Sequence, residues 1–555
     1  MSTVPRMLRE KLTRDADRAY SKVKENGVWK SGTGRDCESE ILRAAARLQA
    51  HGVGPGDRVA ILGNPHPRWV VFDFAALCLG AVTVGIYPTL TPDQVAYQLR
   101  HSGAKVFLCD EQAQLDRLAE AIKACPELRH AGDFHLPESG VEAGPFWEQA
   151  LSVKPEDPCA LIYTSGTTGD PKGAIITHRA AHAVSLTSQE AVKLEPGDRA
   201  VVFLPLAHSL QRMTVYRGLL EQVEAWFCPN LPEFLDVVKE AKPSVLASVP
   251  RMLEKIKARI EGEVAKANPR RQAIFRTALA CGKARSRLVE AGQAVPFFLD
   301  LQWKFWDLLV YKKVRGHFGG ELRMFVCGGA RLDPEVARFF HAFGVMVMEG
   351  WGLTETTAPA TVNRLESFRF GTVGKPLPGT EVRVAADGEL EVRGPGLFSG
   401  YWDNPAATAE CMTLDGYYKT GDIGTIDADG FVSITDRKKE IIVTAGGKNI
   451  APVPIEKRLE GGPIGQAVII GEGRPCLGAV FAPDPEHPQE GRDAFAEARV
   501  REVNATLAPY EQVKTWRWLP EPLSVETNTL TPTMKLKRRV INERVATTMG
   551  ELYAG

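Results

Sequence analysis

The sequence predicts an α/β protein: two doubly wound αβ units and a small antiparallel barrel make a large N-terminal part, followed by a smaller α+β part. Three observations carry this. Short β-branched runs alternate with helix-like stretches over the first two-thirds of the chain, the pattern of parallel βαβ units. From 371 to 435, Gly, Pro and Asp punctuate short alternating runs, the pattern of antiparallel strands. The length, 555 residues, exceeds what one core serves and implies three or four domain-sized units.

Taken in order, 58–62, 81–86 and 105–108 are expected strands of the first unit, and 200–204, 225–228, 245–248 and 324–327 of the second. Residues 69–87, WVVFDFAALCLGAVTVGIY, approach the length of a membrane span but carry Asp73 and two internal glycines. They are expected to form a buried helix, broken near Gly80, and then a buried strand. The stretch 296–314, PFFLDLQWKFWDLLVYKKV, is aromatic and amphipathic. Core or dimer packing is expected for it, with contact to a membrane surface the alternative. In the barrel region, 389–393 and 431–434 alternate as strands. A boundary is placed at the charged turn 436–439, dividing the chain into 1–436 (αβ units to about 370, barrel-like part about 371–435) and 437–555, where 467–470 and 479–481 are expected strands.

Sixty-eight basic residues balance sixty-eight acidic ones, so no net field draws the chain to nucleic acid or to an anionic membrane. Ten scattered cysteines with no C-x-x-C pair disfavour a disulfide framework and a structural zinc site. The charged N-terminus lacks the apolar core of a secretory signal, and a cytoplasmic location is expected.

Residues 163–173, YTSGTTGDPKG, crowd hydroxyls, glycines and one lysine behind an apolar run. Glycines admit close backbone approach, while hydroxyls, N–H groups and an ammonium supply donors and charge, which suits a polyphosphate. The stretch is not a Walker A loop, because Lys172 follows Pro171 and precedes Gly173, which leaves a phosphate loop of another kind or only a turn. Farther on, 350–356, GWGLTET, sets an aromatic face suited to a nucleobase beside a carboxylate suited to Mg²⁺. Residues 418–422, YKTGD, offer a carboxylate for ribose hydroxyls, with Arg437 close behind.

These stretches, together with LPLAH at 204–208, GGA at 328–330 and DRKKEIIVTAGGKN at 436–449, resemble in content and order the motifs of adenylate-forming ligases, the superfamily of acyl-CoA synthetases, luciferases and nonribosomal adenylation domains. VPRMLEKI at 249–256, VTAGGKNIAP at 443–452 and LTPTMKLKRR at 530–539 resemble the long-chain fatty acyl-CoA synthetase branch. The resemblance implies ATP-dependent ligation of a medium- to long-chain fatty acid to coenzyme A through an acyl-AMP, with Mg²⁺ as cofactor.

It also implies roles by position. Lys535 lies over the α-phosphate and the substrate carboxylate. Glu355, with Thr164, holds Mg²⁺; Asp422 and Arg437 hold the ribose. Trp351, flanked by Gly350 and Gly352, takes the adenine with Gly329 and Ala330, and Thr354 also lines the nucleotide. Thr164, Ser165, Gly166, Thr167, Thr168 and Lys172 hold the departing pyrophosphate. His208 changes rotamer at the pocket mouth. The part after 437 is implied to be mobile, turning about Lys439 to bring Gly446, Gly447 and Lys448 to coenzyme A.

Three departures from the resemblance bear on pocket shape. Trp351 stands for the usual tyrosine, Cys327 and Arg331 flank the double glycine, and LPLAHSLQR differs from the usual LPLAH-x-F-E-R. Rival readings are a fatty acyl-AMP ligase loading a carrier protein, an aryl- or short-chain ligase, and a non-catalytic binding module. The intact Lys172, Glu355, Asp422, Arg437 and Lys535 oppose the last. No nucleic-acid partner is expected; a homodimer and peripheral membrane contact stay open.

Overall fold

The computed structural model describes residues 2–164, 170–446, 448–531 and 535–545. Its first αβ unit is a six-stranded sheet in the order His130–Asp133, Ala104–Cys109, Arg58–Leu62, Val82–Ile86, β1 (Pro158–Thr164) and β2 (Lys172–Thr177). All neighbours are parallel except the last pair, where β1 and β2 run antiparallel with Thr164 opposite Lys172. Residues 69–87 fold as expected. The helix Pro67–Cys78 is buried on nearly every side and ends at Gly80, whose φ of 74° suits glycine, and the strand Val82–Ile86 is wholly buried. No helix among the described residues is long and apolar enough to cross a membrane.

The second unit is a nine-stranded sheet. Its parallel centre consists of Glu224–Phe227, Arg199–Val202, Val245–Ser248, β3 (Met324–Cys327) and β4 (Met346–Leu353). One edge carries Ala358–Val362 and Lys375–Pro376. The other carries a hairpin the sequence reading missed, Ala19–Glu25 with Val28–Thr33, turned by Asn26 and Gly27 at φ 50° and 78°. Asn-Gly was the available signal.

The expected barrel is an open four-stranded antiparallel sheet: Glu381–Val384, Glu389–Arg393, β5 (Tyr418–Ile426) and β6 (Val432–Arg437). Beyond it, a three-stranded sheet, Ile464–Ile470, Leu477–Pro483 and Val513–Trp518, packs under the helices Pro452–Leu459 and Arg492–Asn504.

The helices of the second unit include α1 (Ser209–Gly218), α2 (Pro250–Ala265), α3 (Pro269–Glu290) and α4 (Phe297–Trp306). A π-turn, Asp307–Tyr311, carries α4 into the short helix Lys312–Gly316. The expectation of core packing for 296–314 fails on the outer face. Val310, Tyr311 and Val314 are buried, but no residue of α4 is, and its phenylalanines face solvent.

Candidate nucleotide and acyl-transfer site

The site forms where the C-terminal ends of both parallel sheets meet the four-stranded sheet. β1 and β2 hold Thr164 and Lys172 as opposite partners at the base of the glycine-rich loop; Ser165, Gly166, Thr167 and Thr168 lie outside the described residues. Residues 399–402 add to the outer side of β2: the Ser399 N–H donates to the Ile175 carbonyl, the Ile175 N–H to Gly400, and the Trp402 N–H to Gly173. That pairing brings Tyr401 over the loop base. Its ring lies 5.1 Å from the Lys172 ammonium, and its hydroxyl donates to Glu355 Oε1 at 2.7 Å. Tyr401 thus joins the phosphate-loop cation to the candidate metal carboxylate, a link no motif announced.

Glu355 is buried on a 3₁₀ turn, Thr354–Thr356, after β4. The backbone there is strained: Thr357 and Ala358 both have positive φ, 58° and 87°, each costing of order 1–3 kcal/mol. Gly352 explains the crowding. The register slips between Trp351 and Gly352, and a Cβ at Gly352 would lie 1.9 Å from the Ala358 carbonyl oxygen. Gly328 sits against the Gly350 carbonyl, so the turn carrying Gly329 (φ 88°) and Ala330 abuts the Gly350–Gly352 stretch.

Asp422 and Arg437 are opposite partners on β5 and β6, and Arg437 Nε donates to Asp422 Oδ1 at 2.8 Å. The second oxygen, Oδ2, accepts from the Trp351 indole N–H at 2.7 Å. Trp351 is nearly buried, packed with Val373, Leu390, Val392 and Val432. The tryptophan is therefore an anchor for Asp422 as well as an aromatic surface, a bond that a tyrosine of different reach would make differently.

His208 caps the N-terminus of α1, its Nδ1 accepting the Leu210 N–H at 3.1 Å. Burial first, and the charge of Lys535 second, push its pKa down to about 4, so near pH 7 the ring is neutral with its proton on Nε2. Beneath it, Arg212 of α1 donates to Asp73 and Thr83 in a fully buried cluster, and the Tyr216 hydroxyl donates to Asp73 Oδ2 at 2.8 Å. Asp73, the residue that spoke against a membrane span, thereby fixes the helix that presents His208.

Lys535 reaches the site from the C-terminal part. It is open to solvent, yet the charges of Arg437, Asp422, Glu440 and Glu355 all act on it. Surrounding protein, then Arg437, pushes its ammonium below the usual lysine range; the three carboxylates oppose this, and water reaching the side chain moderates the shift. Lys172, Glu355, Asp422, Arg437, His208 and Lys535 thus converge. Gly446 and Lys448 do not join them: Lys448 bonds Thr444 and lies 5.7 Å from the Tyr510 ring. Gly447 lies outside the described residues.

The charged turn has one loose member. Asp436 accepts from the N–H groups of Arg437 and Val453, and Arg437 pairs with Asp422. Lys438 pairs with Asp387 and Glu389, and Glu440 with Arg538, which also grips Glu456 through two bonds. Lys439 alone in this run has neither a side-chain partner nor a backbone N–H bond among the described residues. Across from it, the VPRMLEKI stretch opens α2 and touches the C-terminal part: Arg251 donates to the Gly465 carbonyl at 2.9 Å, Glu254 lies 3.8 Å from Lys457, and Lys255 lies 3.4 Å from Glu486.

Among known proteins, the AMP-binding enzyme family matches residues 9–402, and the AMP-binding enzyme C-terminal domain matches 439–555. The chain is an AMP-binding enzyme. A long-chain-fatty-acid–CoA ligase of Mycobacterium bovis is 37% identical, covering 95% of this chain and 93% of the relative. A long-chain-fatty-acid–CoA ligase of Homo sapiens is 29% identical, covering 93% and 81%. Among solved structures, an anthranilate CoA ligase in complex with anthranoyl-AMP shares the fold of this AMP-binding enzyme, with a TM-score of 0.74 at 20% identity over 98% of this chain and 97% of that one.

One carboxyl in the AMP-binding enzyme was missed by motif reading. Glu349, at the end of β4's buried run, is enclosed between β3 and the turn at 331, and its Oε1 accepts the Leu332 N–H at 3.0 Å. Burial pushes its pKa up to about 8. A raised folded pKa favours folding below the unfolded value of 4.5, and that contribution is lost as pH rises towards 8. Glu349→Gln keeps the acceptor without the charge. Its stability relative to the parent, measured by urea midpoint, should therefore grow from near zero at pH 5 to a clear gain at pH 9, and a pH-independent difference would refute the buried-acid reading.

Proposed function

We propose that this enzyme joins a medium- to long-chain fatty acid to coenzyme A through an acyl-adenylate, consuming ATP and releasing AMP and pyrophosphate. The observation that carries the reading is the convergence of Lys172, Glu355, Asp422, Arg437 and Lys535 in a chain similar along nearly its full length to long-chain-fatty-acid–CoA ligases. In the first half-reaction a carboxylate attacks the α-phosphorus, so one anion must approach another. Fixed cations answer that problem. Lys535 neutralises charge at the α-phosphate and the attacking carboxylate, Asp422 and Arg437 hold the ribose, and Thr164, Lys172 and the loop between them receive the pyrophosphate.

The donor set fits Mg²⁺. Tyr401 occupies only Oε1 of Glu355, leaving Oε2 with no hydrogen bond among the described residues, and Mg²⁺ commonly takes one or two protein oxygens with phosphates and water. When bound, the ion, held by Glu355 with Thr164, would offset the negative charge of the phosphates. Glu355→Gln is expected to lower adenylation about 10²-fold and to raise the Mg²⁺ needed for half-maximal rate. Unchanged activity and unchanged Mg²⁺ dependence would place the metal elsewhere.

For the second half-reaction the chain divides near 436, and the part from 437 turns about Lys439, withdrawing Lys535 and delivering the turn of Gly446, Gly447 and Lys448 to the thiol-bearing substrate. That Lys439, amid partnered neighbours, has neither a side-chain partner nor an N–H bond among the described residues supports it as the pivot. We further propose a cytoplasmic enzyme whose surface contacts a membrane, a reading that the aromatic, amphipathic stretch 296–314 supports.

Measuring AMP release across a panel of carboxylic acids, with and without coenzyme A, tests the function. Coenzyme A-dependent turnover that is fastest on long-chain acids is expected. Acyl-AMP formation with no coenzyme A-dependent turnover would favour a carrier-protein loader, and preference for aryl or short acids would overturn the substrate class.

A further inference from the structure

The outer face of α4 carries the densest run of exposed large apolar side chains among the described residues. Phe297 and Phe298 are 75% and 76% exposed, and Leu301, Phe305, Leu308 and Leu309 are each at least 46% exposed. Their spacing, 297–301–305–308 with 298 and 309 alongside, sets all six on one stripe. The same helix and turn spend their other face on the core: the Trp303 indole donates to the Ala342 carbonyl, and Val310, Tyr311 and Val314 are buried. A helix lying on a water-facing surface carries polar residues outward, whereas a contiguous exposed apolar stripe marks something that covers it.

Charge indicates what covers it. Between 296 and 316 there are two acidic residues, and both are held: Asp300 by Arg285 and Lys304, Asp307 by Arg315. Lys304, Lys312 and Lys313 stay exposed along the stripe and at its end. Alongside runs α3, tied to it by Arg285–Asp300 and by the Tyr311 hydroxyl donating to the Ala278 carbonyl, and its first turns add exposed Arg270, Arg271 and Arg276 with no acid among them. In a two-fold dimer through this face, the basic frame would oppose itself. An anionic headgroup layer pairs with it instead, while aromatic and leucine side chains enter the boundary with the acyl chains and lysine stems lie along it.

We propose that the Phe297–Leu309 face is a docking surface for an anionic phospholipid bilayer, seating the six apolar side chains in the headgroup–acyl boundary beneath a frame of Lys304, Lys312, Lys313, Arg270 and Arg271. This rests on the peripheral membrane contact proposed above and adds the face and the lipid chemistry.

Flotation of the full-length protein with vesicles of phosphatidylcholine alone, or with phosphatidylglycerol added, tests it. The parent should float with the anionic vesicles, and less so as salt rises. Both F298S/F305S and K312E/K313E should weaken flotation about tenfold or more, with thermal midpoints and vesicle-free adenylation of a soluble acid unchanged. Parent protein that binds neither vesicle would remove membrane contact altogether. Binding untouched by either pair of substitutions would place the bilayer on another face and overturn this assignment, as would equal binding to both vesicle types. A solution dimer that F298S/F305S dissociates would show that a second copy covers the face, and would likewise overturn it.

Discussion

In the Lys535→Ala variant, fatty-acid-dependent exchange of pyrophosphate into ATP should fall about 10²–10³-fold, while coenzyme A thioester formation from supplied acyl-AMP stays close to the parent rate. The asymmetry follows from where charge accumulates. Only the first half-reaction brings a carboxylate against a triphosphate, and Lys535 is the cation that the C-terminal part contributes to the Asp422–Arg437–Glu355 cluster. Once pyrophosphate has left, the leaving group is a single phosphate ester already held through its ribose. Lys535→Arg should restore little, because the planar guanidinium cannot occupy the place of a compact ammonium. Equal loss of both half-reactions would remove the proposed role.

Lys439→Pro should separate the two half-reactions the other way. Proline fixes φ at about −65° and removes the N–H, so a residue that must change its backbone angles between two arrangements is held in one. Because the Lys439 N–H makes no bond among the described residues, the arrangement with Lys535 at the site loses nothing of that kind. Pyrophosphate exchange is therefore expected to persist while thioester formation from acyl-AMP falls by about 10²-fold or more. If both fall together the variant is misfolded, and if neither changes the pivot is another residue.

Much of this architecture is legible in the sequence because the signals are local. The short apolar runs within 58–62, 105–108 and 324–327 are strands, each too short for a core helix and buried between helices as parallel strands are. The hairpin Ala19–Glu25/Val28–Thr33 was passed over because its strands are polar and half-exposed, so periodicity is weak and only Asn26-Gly27 marks the turn. At the site, each motif names a contiguous stretch, but the bonds between stretches depend on register. Tyr401 meets Glu355 only because 399–402 pairs along β2, and Trp351 meets Asp422 only because the end of β4 packs against the four-stranded sheet. The stripe on α4 could not be assigned from the sequence at all, since a core face and an uncovered face have the same periodicity.

The contacts that α2 makes with the C-terminal part bear on timing. One hydrogen bond from Arg251, a long, half-buried ion pair from Glu254 and an exposed one from Lys255 are each worth on the order of 1 kcal/mol or less. In the rotation proposed above, a clasp this weak would open on thermal energy alone. A firm apolar seam at the same place would hold the enzyme on its adenylate, whereas no clasp would leave Lys535 arriving by chance. In that proposal the looseness of the α2 grip favours alternation over arrest.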